Sequence, residues 1–262
     1  MIELHHASPG RLLTQNSELR KSGIWNWTLP AFITTLSDGT RFNVCPNAGP
    51  CARVCYARFG TYLFRNVKER HLANLEFLLV HPDEWEKQML GETGHRRFRP
   101  SGNAHNLPYD PDDWFIDIWV RSGGSAVRIH DAGDFYDLDY FMRWVRIAEQ
   151  RPAVLFYAYT KEVEMIKPLI PTLPTNLRII FSFGGLQDHL IDRDHDRNAD
   201  VFPDLDSLLA AGYTDQEEND VLAAVLPTTR IGIVQNNLPV ARKRFRGLPM
   251  SALRPPPHSP LP

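Results

Sequence analysis

Only three cysteines occur in 262 residues, too few and odd in number for a disulfide framework. Neither sign of charge is in useful excess: 29 Lys and Arg against 31 Asp and Glu leave −2. No whole-molecule field therefore draws the chain to nucleic acid or to an anionic membrane. Nowhere do about eighteen apolar residues run together, so no spanning helix and no membrane contact are expected. The start, MIELHHASPG, lacks a basic stretch followed by an apolar one, and no secretory signal is expected. Internal repeats, a phosphate-cradling glycine loop, a serine elbow and a paired zinc-histidine motif are all missing. Together with the unpaired thiols, these absences predict a cytoplasmic protein.

Hydrophobic residues make up 43% and charged residues 23%, an ordinary globular balance with enough chain for one large α/β domain or two small ones. After the cysteines, strand and helix patterns alternate. A helical periodicity covers residues 62–80, and further helices are predicted over 83–90, 112–121, 137–150 and 162–169. Residues 125–130 read as a strand, 153–159 as an almost wholly apolar strand covered on both sides, and 177–183 as another apolar strand. Residues 41–44 and 230–235 read as shorter strands, with helices near 205–211 and 215–224. This alternation predicts βα units around a parallel sheet, open or curled into a partial barrel. The stretch 1–30 reads as an irregular, extended N-terminal segment, 31–240 as the α/β domain, and 241–262 as a basic, proline-rich flexible tail. Functional groups then collect where strands end. HDAGDF, AYTK, SFGG and VQNN are the polar or glycine-rich sequences found there.

All three cysteines, Cys45, Cys51 and Cys55, fall in CPNAGPCARVC. Cys51 and Cys55 stand one helical turn apart, and Pro46, Gly49 and Pro50 shape the loop before them. Soft thiolates select iron–sulfur or zinc over magnesium or calcium. Three cysteines without a fourth suit an iron–sulfur cluster with one open iron. Zinc held by these thiols and a histidine such as His71 is the alternative. A nucleophilic cysteine and plain structural burial remain open as well.

The run NSELRKSGIWNWTLPAF, then CPNAGPCARVCYARFGTY, VRIHDAGDF and FYAYTK, resembles the phage "gene product 88" domain family over about residues 12–235. That family is similar to a divergent branch of the radical S-adenosylmethionine superfamily. The resemblance implies a single-domain partial (β/α) barrel in which Cys45, Cys51 and Cys55 hold a 4Fe–4S cluster that cleaves S-adenosylmethionine reductively. The spacing of five and then three residues departs from the superfamily's three and then two. By the same resemblance Tyr56 packs beside the adenine or the cluster. Gly133 and Asp134 meet the methionine amino group, with His130 at the same strand end. Arg128 or Lys161 meets the carboxylate, and Tyr159 and Ser182 line the mouth. It further implies a reductant such as flavodoxin or ferredoxin, and makes nucleic acid or a nucleotide a candidate substrate. An auxiliary C-terminal cluster is not expected, because no further cysteine exists.

The same residues admit plainer readings. Asp134 is equally a helix cap or turn residue, Lys161 a solvated loop lysine, and His130 a hydrogen-bonded structural histidine. Arg70 and Asn74 lie on the helix after the cysteines, where a surface role is favoured. His5, His6 and the run DHLIDRDHDRNAD read as solvated loops. RKRFR and HRRFRPSGN are weak hints of phosphate contact, and so of a nucleic-acid-binding accessory protein without catalysis.

Overall fold

Leu155–Thr160 and Leu177–Ser182 read LFYAYT and LRIIFS, nearly continuous apolar runs, and they form adjacent strands near the middle of a parallel sheet. The computed structural model describes residues 8–95, 98, 103–235, 243 and 245–253. His5, His6, most of HRRFRPSGN and part of RKRFR lie outside the described residues. In chain order the strands are β1 (Ile24–Trp27), β2 (Ile33–Thr35), β3 (Arg41–Asn43), β4 (Ala126–Ile129) and β5 (Leu155–Thr160), then β6 (Leu177–Ser182), β7 (Asn198–Phe202), β8 (Thr214–Asp215) and β9 (Arg230–Val234). Seven of them pair in the order β1-β4-β5-β6-β7-β9-β8, and every pairing is parallel. β2 and β3 form a separate antiparallel hairpin.

The helices are α1 (Ser17–Lys21), α2 (Cys51–Val54), α3 (Arg65–Val80), α4 (Pro82–Thr93), α5 (Trp114–Arg121), α6 (Leu138–Gln150), α7 (Val163–Ile166), α8 (Leu205–Ala210) and α9 (Leu222–Val225). Alternate residues of each strand point to opposite faces, and both faces are covered. Trp27, Val127, Phe156 and Phe181 join α3, α4, α6 and α7 in one core. Ile24, Leu155, Tyr157 and Ile180 join α5 and α9 in the other. Since all seven strands run the same way, their carboxyl ends open on one edge of the sheet.

Four expectations are corrected. The N-terminal segment belongs to the domain: β1 lies at the edge of the main sheet, and Leu12, Leu13 and Trp27 are buried. Asn26 interrupts its apolar pattern, and it is satisfied internally by donating to Thr28 Oγ1 at 2.9 Å. Within DHLIDRDHDRNAD, the last three residues begin β7. Asn198 is buried there because its amide donates to the carbonyls of Arg193 and Asp196 at 3.1 and 2.8 Å. The helix expected at 215–224 is only α9, preceded by the short β8 and a loop over 216–221. In the expected tail, Phe245 and Met250 are buried against Val54 and Cys51, so residues 245–253 pack rather than trail.

Candidate functional site

Asn47 fixes the cysteine loop from below. Its backbone N–H donates to Glu162 Oε1 at 3.1 Å and its side-chain amide to Glu162 Oε2 at 2.5 Å. The loop then runs against the turn that follows β6. Gly49 and Cys51 donate their N–H groups to Gly184 O at 3.1 and 3.0 Å, and Leu186 donates to Asn47 O at 2.9 Å. Glycine is required at 49 because a Cβ there would lie 2.9 Å from the backbone carbon and oxygen of Gly185. Gly184, with φ +98, turns its open side toward Met250 and Cys51. The backbone of SFGG thus holds the metal-type loop in place, a role its sequence did not suggest.

Pro50 then starts α2, which carries Cys51 and ends at Cys55. All three thiols are free and half-buried. Contact with the Cys55 thiol, together with the nearby Lys161 ammonium, holds the Cys51 thiol below the ordinary cysteine range. The same contact pushes Cys55 up, while burial and the Asp134 carboxylate push Cys45 up. Burial opposes the charge on Lys161, yet Cys51, Asp134 and Asp188 hold its pKa above the ordinary lysine range. Its Nζ donates to Ser182 Oγ at 3.1 Å.

These groups share a cavity of about 380 Å³ at the carboxyl edge of the sheet, within the size range of small-molecule sites. Its walls include Cys45, Cys51 and Cys55 and also Tyr56, Arg128, His130, Gly133, Asp134, Tyr159, Lys161 and Ser182. The three cysteines and every residue that the resemblance assigns to the cofactor therefore border one space. His71, Arg70 and Asn74 are not among the lining residues. Arg70 instead donates to the carbonyl of Arg11. Asn74 is buried rather than at the surface, and donates to Thr28 O at 2.8 Å.

Three of the lining residues have partners within the protein. Asp134 is not the cap of α6; Asp137 is, accepting from the Tyr140 N–H at 2.8 Å. Asp134 braces two strand ends, accepting from Phe135 N at 2.8 Å, Thr160 Oγ1 at 2.7 Å and Lys161 N at 3.0 Å. These three bonds leave a carboxylate about one lone-pair direction for a ligand. Gly133, at φ +93, allows close approach to protein: a Cβ there would stand 2.7 Å from Leu29 Cβ and 3.2 Å from Val44 Cγ1. His130 shares Nε2 with Tyr140 Oη at 2.5 Å, and that oxygen accepts from Trp27 Nε1 at 2.8 Å. Burial, with Arg128 nearby, holds His130 down to about 3, so it stays neutral.

Sequence reasoning missed the far wall. Arg128 Nη1 lies 3.3 Å from Asp220 Oδ1 and 3.8 Å from Asp131 Oδ1, while Nη2 donates to Tyr56 Oη at 3.2 Å. Tyr157 donates to Asp220, and Tyr159 donates to Gln216 Oε1 at 2.6 Å. Asp131 sat inside HDAGDF and was legible; Gln216 and Asp220, on the loop after β8, had no local signal.

Glu162 offers a pH test of the loop's anchor. Burial and the Asp134 carboxylate push it up to about 7, against the Asn47 hydrogen bonds. A folded-state pKa above the ordinary value of 4.5 stabilises the fold below that value. The contribution is lost as pH rises through about 7. Glu162→Gln removes this titration. The melting-temperature gap, native minus variant, should shrink between about pH 5 and about pH 7.5. A gap that stays constant or widens would contradict the assignment.

Among the described residues, no three His, Cys, Asp or Glu side chains converge closely enough to hold a single metal ion. The donor set is nonetheless three soft sulfurs, none in a disulfide, facing open space beside an ammonium. Soft sulfurs of this kind are ligands that iron–sulfur clusters and zinc select over magnesium or calcium. No helix of the described residues is long and apolar enough to cross a membrane. A family model described as "Gene product 88" matches residues 9–246. No curated protein and no solved structure matches the chain.

Proposed function

The chain belongs to the gene product 88 family, and from that premise we propose that it is an iron–sulfur enzyme of radical S-adenosylmethionine type. Cys45, Cys51 and Cys55 would hold a 4Fe–4S cluster. The observation that carries this reading is the shared cavity: three free thiols from the loop after the first strands border the same space as the ends of β4, β5 and β6. A partial barrel is the matching architecture. Strand order rises from β1 to β7 without reversal, and the loop after β8 reaches back to bond with Arg128 on β4 and Tyr159 on β5.

The chemistry such a cluster supplies when bound is one-electron reduction of a coordinated sulfonium, here S-adenosylmethionine. The chain's own residues do the positioning. Lys161 favours the thiolate form of Cys51, the form that ligates iron. Its ammonium, set by Ser182, also suits a ligand carboxylate. Asp134 keeps one acceptor direction for an ammonium. Tyr56 and Arg128, bonded to one another, close the opposite side. A small electron carrier such as flavodoxin or ferredoxin would supply the reductant in a phage-infected or bacterial cytoplasm.

The test is anaerobic purification followed by assays of iron, acid-labile sulfide and zinc, then of S-adenosylmethionine cleavage under a strong reductant. Iron and sulfide in equal amount, with cleavage that depends on them, are expected. Stoichiometric zinc without sulfide would instead assign the loop to a zinc-stabilised interaction module.

A further inference from the structure

Besides the thiols, His130 and the tyrosines, three carboxylates and two cations line the cavity: Asp131, Asp134 and Asp220 against Arg128 and Lys161. The two cations stand at different ends of the cavity. Lys161 stands at the thiol end, where its Nζ donates to Ser182 Oγ at 3.1 Å. Arg128 has two carboxylates near one nitrogen, Asp220 at 3.3 Å and Asp131 at 3.8 Å, and gives its other terminal nitrogen to Tyr56. The end of the cavity around Arg128 thus carries one carboxylate more than it has guanidinium to balance. Bringing a phosphate there adds a repulsion between like charges that the one unpartnered donor of Arg128, its Nε–H, does not offset.

A second, independent observation marks the same end as a place where something binds. Gln216 is 7% exposed and borders the cavity. Its side-chain oxygen is used by the Tyr159 hydroxyl at 2.6 Å. Its backbone N–H and C=O are used by Gly232 and Asn219. The side-chain amide nitrogen has no partner among the described residues. Beside it, Arg128 Nε is a buried donor with no partner, and a donor so placed calls for an acceptor from outside the chain.

We infer that the Arg128–Gln216–Asp220 end is the substrate subsite, and that it admits an uncharged or cationic group bearing a hydrogen-bond acceptor while turning away phosphate esters. The inference deepens the proposed function by fixing the charge class of its substrate. A nucleoside, amide or amine fits such a wall; a free nucleotide does not. The Asp131 and Asp220 carboxylates set the sign, and Gln216 supplies the donor. Tyr157 and Tyr159 hold both in place from β5.

The chain's own thiols report what enters. The reduced, intact protein is treated with three methanethiosulfonates that differ only in the charge they carry: trimethylammonium-ethyl, methyl and sulfonato-ethyl. In each case a thiolate displaces methanesulfinate and forms a mixed disulfide, and mass spectrometry reads the rate at Cys45, Cys51 and Cys55. Relative to free cysteine, the cationic reagent should label about tenfold faster than the anionic one. The Asp131→Asn, Asp220→Asn double variant should bring the two within about twofold. An anionic reagent as fast as the cationic one in the native chain overturns the inference, and that comparison needs no variant. So does a preference that survives in the folded double variant. Charge preference without iron or sulfide loading keeps the subsite and rejects the cofactor; loading without preference does the reverse.

Discussion

Replacing Cys51 by alanine is expected to abolish iron and sulfide loading, to below about a tenth of the native amount. Cys51 is the most committed of the three sulfurs. Its N–H is tied to Gly184 O at 3.0 Å, and the neighbouring Cys55 thiol and Lys161 ammonium favour its thiolate. Cys45 and Cys55 are pushed up by their surroundings, so each reaches the ligating form only with metal present, releasing a proton as it binds. Two thiols alone grip a cluster poorly. Truncation at Cys51 removes only a small side chain, so the melting temperature should fall by a few degrees at most. Iron and sulfide assays on anaerobically reconstituted protein, beside thermal melts, separate the two effects. Native-level loading in the alanine variant would reject the cluster assignment altogether.

The cysteine loop was legible because its information is local. Pro46, Gly49 and Pro50 bend the chain, and Cys51 and Cys55 share a helix turn. HDAGDF and AYTK were legible for a related reason: an apolar strand stops and polar residues begin, so the carboxyl end of a parallel strand is marked in the sequence itself. β1 and β7 escaped because each buries an asparagine, Asn26 or Asn198, that breaks the apolar pattern and is satisfied by nearby groups, Thr28 Oγ1 for Asn26 and the carbonyls of Arg193 and Asp196 for Asn198. Gln216 and Asp220 escaped for a stronger reason. They follow the strand at the far edge of the sheet and meet Tyr159 and Arg128 only through tertiary folding. The two halves of the cavity thus differ in origin: the thiol half is encoded by short motifs, the substrate half by the path of the whole sheet.

Asp134 joins those halves, and its removal should be the most damaging single change to the fold. Thr160 Oγ1 donates to Asp134 Oδ1 at 2.7 Å and accepts from Glu162 N at 3.1 Å. The Glu162 carboxylate in turn receives both donors of Asn47 beside Cys45. One hydrogen-bonded path therefore runs from the turn after β4, through the end of β5, to the cysteine loop. Burial pushes Asp134 up against the pull of Lys161 and these bonds, so its charge is tolerated only with all partners present. Asp134→Ala leaves the Thr160 hydroxyl and the Lys161 N–H without acceptors in a buried setting. It should cost about 3–5 kcal/mol in urea unfolding. Asp134→Asn keeps one acceptor oxygen but opposes an amide to a backbone N–H, and should lie between the two. If the alanine variant lost less than about 1 kcal/mol, the path would be incidental. If it lost the full amount, the thiols of the surviving folded fraction should also label faster, because the loop that carries them would have lost the far end of its brace.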